Sequence, residues 1–168
     1  YEDFIRGYRP SENEKLSLID GPFMDAIEKA KKTDDPYVVV IEEINRGNPA
    51  QIFGEMLTLL EADKRGPSEA MELTYKKSSE EFVYIPDNLY VIGTMNLADR
   101  SLALVDLALR RRFAFFDLEP SLNLAWESWL KTKGISTQFI NEIKTRMTLL
   151  NNRISDDSSL GSQYKIGH

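Results

Sequence analysis

Residues 37–46 read Tyr37-Val38-Val39-Val40-Ile41-Glu42-Glu43-Ile44-Asn45-Arg46. The first five are continuously apolar and mostly β-branched, which predicts a strand. Lacking alternation, such a run predicts a strand covered on both faces, as in a parallel sheet flanked by helices. Two acids follow at once, so the strand ends in a pair of carboxylates.

The pattern around this run repeats strand and helix. Upstream, the turn Asp20-Gly21-Pro22 leads into Phe23, Ala26, Ile27 and Ala30 at helical spacing, and Thr33-Asp34-Asp35-Pro36 ends that helix. Downstream, Arg46-Gly47-Asn48-Pro49 restarts the chain, with Pro suited to a first helical turn. Ile52, Phe53, Met56, Leu57, Leu59 and Leu60 then predict a helix running through Ala62. Leu73 to Tyr75 and Phe82 to Ile85 predict a β-hairpin with a polar tip. Leu89 to Met95 predicts a second buried strand, ending in Asn96. Ser101 to Leu109 reads as a short helix, Arg110-Arg111-Arg112 as its basic end, and Phe113 to Phe116 as a third strand. Beyond Glu119-Pro120-Ser121 come two amphipathic helices, Asn123 to Lys133 and Gln138 to Ile154, the second striped by Phe139, Ile143, Met147, Leu150 and Ile154. The fold class expected is α/β: a parallel sheet with flanking helices and a β-hairpin insertion over residues 1–119, then a helical appendage over 120–168.

Composition removes several chemistries. The chain has 168 residues, no Cys and a single His at position 168. Disulfides, thiolate metal sites, Cys nucleophiles and His-based triads or metal cages are therefore not expected. Its 21 basic and 27 acidic residues give a net charge of −6, which argues against a surface built to sheathe nucleic acid. No apolar run reaches the roughly 20 residues that span a bilayer, so no membrane role and a cytoplasmic setting are expected. The chain begins at Tyr1 without Met and is expected to be a piece of a longer protein.

In open α/β sheets ligands bind at the carboxyl ends of the strands. Glu42, Glu43 and Asn96 all fall there. Apolar residues followed by two acids describe the Walker B element of nucleoside triphosphatases. One carboxylate there holds Mg²⁺ through water and the next orients the attacking water. Two solvated acids at a strand end would look the same, and the first acid is Glu42 where Asp is usual. Asn96 reads either as a phosphate-contacting amide or as a turn residue. The arginine triplet suits a helix C-terminus by its dipole, or serves as an arginine finger toward a neighbouring subunit.

Taken in order, VVVIEEINRGNP, VIGTMNLADRSLALVDLALRRRFAF and YKIGH, with the opening YEDFIRGYRP, resemble the AAA+ GTPase subunit of McrBC-type modification-dependent restriction systems, in the dynein-related branch. The resemblance runs through nearly the whole chain. It implies a metal-linked role for Glu42 and a catalytic role for Glu43, with Asn45 and Arg46 near the catalytic water and subunit interface. Asn96 would be the sensor, followed by Asp99 and Arg100 as nucleotide-side groups. Arg111, with Arg112 and Arg100, would act in trans. It also implies Mg²⁺ with GTP or ATP, a hexameric ring of this protein, an McrC-like endonuclease partner, and DNA contact through parts outside this sequence. Residues from Asn123 would begin the helical lid. The family's phosphate loop is the departure: no GxxxxGK[ST] occurs in these 168 residues. It is expected to lie N-terminal to YEDF, and the fragment alone is expected to be inactive. Two alternatives share the same residues: a MoxR-like or dynein-related ATPase that remodels its targets, and a non-enzymatic interaction fragment without the phosphate loop.

Overall fold

The computed structural model describes residues 3–10, 15–96 and 107–167. It divides into two compact units, 1–114 and 115–168, breaking after Ala114, five residues ahead of the 119/120 boundary expected from Glu119-Pro120-Ser121.

The first unit opens with two strands not expected from the sequence. Strand β1 (Arg6–Pro10) pairs antiparallel with β2 (Leu16–Asp20), Arg6 facing Asp20. Helix α1 (Pro22–Ala30) follows directly and buries Phe23, Met24, Ala26, Ile27 and Ala30. The turn between them requires glycine, because a Cβ on Gly21 would lie 2.4 Å from the Phe4 carbonyl oxygen. That close approach lets Gly21 N–H donate to Ile5 O at 2.7 Å and stacks the Phe4 ring on Phe23 at 5.2 Å. Phe53 packs edge-on against both rings. Phe23 and Phe53 are fully buried, and each contributes about 1.5–3 kcal/mol.

Strand β3 (Tyr37–Ile41) and strand β4 (Leu89–Gly93) pair in parallel, Tyr37 opposite Leu89 and Ile41 opposite Gly93. Tyr37, Val39, Ile41 and Val91 pack on the core. Their alternates Val38, Val40, Tyr90 and Ile92 are about half exposed. Among the described residues, the strand expected to be covered on both faces is thus covered on one. Asn88 fixes where both strands start: its amide Nδ2 donates to the carbonyls of Ala30, Thr33 and Asp35, and its own carbonyl accepts from Tyr37 N–H.

Between the strands the chain departs from the expected long helix. Helix α2 (Pro49–Phe53) is capped by the Asn48 side chain, and a 3₁₀ segment, Gly54–Leu60, carries the rest. Gly54 at φ 54° breaks the α geometry. The apolar stripe still reaches the core through Phe53, Met56, Leu57, Leu59 and Leu60. The expected β-hairpin is reduced to one antiparallel bridge, Met71 with Val83. Side chains hold this excursion instead. The buried Arg6 guanidinium donates to both oxygens of Glu81 at 2.8 Å, to Asp20 Oδ1 at 2.5 Å and to the Tyr75 carbonyl at 3.0 Å. Lys77 closes the network by pairing with Asp20. Of the Ser101 to Leu109 helix, residues 101–106 lie outside the described residues; α3 (Leu107–Arg110) is its described end. Phe113 to Phe116 is not a strand. Phe113 packs on the core of the first unit while Phe115 and Phe116 are exposed in the second, so the segment straddles the break.

The second unit contains α4 (Leu124–Thr132), capped by Asn123, and α5 (Thr137–Asp156), capped by Ser136. The inward face of α5 keeps Ile143, Met147 and Ile154 of the expected stripe, each half-buried, and adds the buried Ile140 and Asn151, whereas Phe139 and Leu150 at the stripe's edge are exposed. Asn151 is held there by its amide, which donates to Ile166 O at 2.8 Å and accepts from Ile166 N–H at 2.9 Å. This reciprocal pair ties the Tyr164 to Gly167 segment to the helix. Among the described residues, no helix is long and apolar enough to cross a membrane.

Removing one partner of a buried ion pair strands the others. Arg6→Ala is expected to destabilise the protein by about 3–5 kcal/mol in urea unfolding, because Asp20 and Glu81 lose their shared cation. Acid should act through the same network. Burial opposes ionisation of Asp20 and Glu81, but hydrogen bonds from Lys77 and Arg6 to Asp20, and from Arg6 and the Lys77 backbone to Glu81, outweigh it and hold both carboxyls below their usual values. Below about pH 4, the ordinary carboxyl range, the unfolded chain binds protons that the folded chain does not. The network's contribution is therefore complete above that range and lost as pH falls through the depressed values. Unfolding free energy measured from pH 6 down to pH 3 should fall, and fall less steeply in Arg6→Ala.

Candidate functional site

Parallel pairing brings the C-terminal ends of β3 and β4 to one edge of the sheet, and Glu42, Glu43, Thr94 and Asn96 leave from it. Glu43 has φ 52° and ψ 47°, the one non-glycine residue with positive φ among those described. Such a conformation costs of order 1–3 kcal/mol and persists where surrounding contacts impose it. Here they come from Thr94. Thr94 N–H donates to Ile41 O at 3.0 Å, Ile44 N–H donates to Thr94 O at 2.9 Å, and Glu43 N–H donates to the Thr94 hydroxyl at 3.2 Å. Gly93 leaves room for this: a Cβ there would sit 3.0 Å from Ile44 Cγ2.

The turn reorients the acids. On a continuing strand, successive side chains would point to opposite faces. Instead Glu42 and Glu43 both line one cleft of about 400 Å³, together with Arg46, Ile52 and Phe53. Arg46 pairs with Glu43, Nε to Oε2 at 2.5 Å, with both side chains well exposed. Asn45 is buried beneath. Its Nδ2 donates weakly to Asn96 O at 3.4 Å, and its Oδ1 is a buried acceptor without a hydrogen bond among the described residues. Of the residues singled out from sequence, the structure brings together Glu42, Glu43, Asn45, Arg46 and Asn96. Asp99 and Arg100 lie outside the described residues.

The two arginines expected to reach outward part company. Arg112 is 4% exposed at its side chain and pairs with Glu61 at 2.7 Å, whereas Arg111 is 68% exposed and 4.0 Å from the same carboxylate. Arg112 therefore anchors the end of α3 inside its own unit, and Arg111 is the one presented to solvent. Sequence reasoning placed Thr94 in a strand but gave it no role. A hydroxyl residue at a strand end, level with an acid pair on the neighbouring strand, was the signal available.

A family model described as AAA domain (dynein-related subfamily) matches residues 1–113. The chain is 43% identical over 171 aligned residues to the type IV methyl-directed restriction enzyme EcoKMcrB subunit of Escherichia coli (strain K12), an alignment that covers all of this chain and 37% of the relative. It is 32% identical over 148 residues to the type II restriction enzyme BsuMI component YdiS of Bacillus subtilis (strain 168), covering 80% of this chain and 43% of the relative. The chain thus spans about two fifths of the length of these curated relatives. With a parallel strand pair ending in an acid pair and an amide, flanking helices, and this match over two thirds of its length, the chain belongs to the AAA domain family, in its dynein-related subfamily.

Proposed function

We propose that this chain is the part of an AAA+ motor of a restriction system that carries its catalytic acids, its sensor amide and its trans-acting arginine. The observation carrying the reading is the convergence of Glu42, Glu43 and Asn96 at one sheet edge, in a chain 43% identical to a restriction-enzyme subunit.

Phosphoryl transfer is catalysed by positioning and by charge stabilisation, which carboxylates, amides and guanidiniums supply. Glu43 orients the attacking water and accepts its proton. Arg46 holds the Glu43 side chain at the cleft. Asn96 donates toward the terminal phosphate, and Asn45, packed under it, fixes the strand end from which it projects. Arg111 reaches the nucleotide of a neighbouring subunit, with Arg112 anchoring the turn that presents it.

Mg²⁺ prefers hard oxygen donors and keeps part of its water shell. The exposed Glu42 carboxylate suits that, acting through water. No group of three or more His, Cys, Asp or Glu gathers to hold a metal among the described residues, so phosphate oxygens would complete the ion's shell. When bound, Mg²⁺ neutralises charge developing on the phosphates. The complete protein takes GTP or ATP, assembles as a hexameric ring, drives an McrC-like endonuclease subunit, and contacts DNA through parts outside this sequence.

Two measurements test this. In the complete protein that carries this sequence, Glu43→Gln should lower Mg²⁺-dependent turnover of GTP or ATP at least 100-fold while nucleotide binding persists, as expected for loss of a general base. Undiminished turnover would overturn the assignment, and strict ATP preference would favour a remodelling ATPase over a restriction GTPase. The 168-residue chain by itself, which contains no GxxxxGK[ST], should release no phosphate from either nucleotide above background in a malachite-green assay.

A further inference from the structure

We infer that Thr94 is a positioning residue for Glu43: its hydroxyl holds the left-handed turn that sets both acids of the pair in one cleft. The inference rests on Glu43 being the catalytic acid, as proposed above, and adds to it a residue on the neighbouring strand.

Three observations carry it. Glu43 is the single described non-glycine residue at positive φ, a conformation that an isolated Glu disfavours. Its backbone N–H is directed to the Thr94 hydroxyl at 3.2 Å, a side-chain acceptor and not a strand partner. Glu42 and Glu43 both line the cleft, at the point where the left-handed turn interrupts strand alternation. Backbone bonds from Thr94 to Ile41 and Ile44 form with any residue at position 94. The Glu43 N–H bond forms only with a side-chain acceptor there. Without it, that N–H must find water and the turn loses the contact that selects it. Arg46 fixes the far end of the Glu43 side chain, so the carboxylate is held from both its backbone and its tip.

Thr94→Val tests this, because it keeps the shape of the side chain and removes the acceptor. In the complete protein, assayed with Mg²⁺ and GTP and again with Mg²⁺ and ATP, Thr94→Val should lower kcat about 10-fold with nucleotide Kd unchanged. Thr94→Ser, which keeps the hydroxyl, should recover most of that loss. Thr94→Val combined with Glu43→Gln should be no slower than Glu43→Gln alone, since a residue acting through Glu43 has nothing left to position. Unchanged kcat in Thr94→Val would overturn the inference. So would equal losses in the Ser and Val variants, or a loss matched by a lowered unfolding midpoint or weakened Kd, which would mark a structural role. The two readings fail separately: an active Glu43→Gln protein removes the catalytic assignment and this inference with it. An inactive Glu43→Gln beside a fully active Thr94→Val removes this inference alone.

Discussion

The parallel register of β3 and β4, with Ile41 opposite Gly93, is the constraint on which the site depends. Parallel strands end at the same edge, so residues far apart in sequence leave the sheet side by side. One step of register would carry Thr94 away from Glu43 and turn the core residues Val39 and Val91 toward the opposite face. Hydrophobic pairing and site geometry are therefore one requirement. The same residues that bury Val39 and Val91 bring a hydroxyl within reach of the Glu43 amide.

A second constraint acts on the packing of the first unit. The sheet has only two described strands, and two strands alone are marginal in water. The stability of the unit must come from what packs on it. Phe4, Phe23 and Phe53 supply an aromatic cluster, and Gly21 makes it possible by letting the backbone approach within van der Waals contact. The Arg6 network then ties the β1–β2 pair to the 71–83 excursion, beside the edge-on contact of Tyr8 with Tyr75. A buried ion network adds little over an apolar core of equal volume, but it is directional. It sets where the polar residues of the excursion lie, while Leu73 and Val83 bury its apolar side in the core.

How much of this the sequence disclosed follows from the kind of signal each element carries. β3, β4, α1, α4 and α5 were legible because each has an uninterrupted run or a clear stripe. β1 and β2 were not: Arg6-Gly7-Tyr8-Arg9-Pro10 contains few strand formers, and its pairing is set by Asp20 and Glu81, which are 14 and 75 residues away. The hairpin reading of Leu73 to Ile85 overweighted local β-propensity, where a guanidinium satisfies the Tyr75 carbonyl that a ladder would have used. The stripe along α5 was legible at Ile143, Met147 and Ile154, but not the place in it of a polar residue, Asn151, which is buried by bonding the backbone of Ile166. At the candidate site, the placement of Glu42, Glu43 and Asn96 at strand ends was legible from type and position. The Thr94 contact was not, since it is made to a backbone N–H on another strand.

The arginine triplet shows the limit in its sharpest form. Arg111 and Arg112 are neighbours of identical chemistry, and no rule of composition or spacing separates them. What separates them is Glu61, at the end of the 3₁₀ segment, which takes Arg112 into the interior and leaves Arg111 outside. Arg112 is buried and close to Glu61, so moving it outward would break that pairing, whereas Arg111 is 4.0 Å from the same carboxylate and mostly in water. The difference between the two follows from burial, and Glu61 decides which arginine stays exposed.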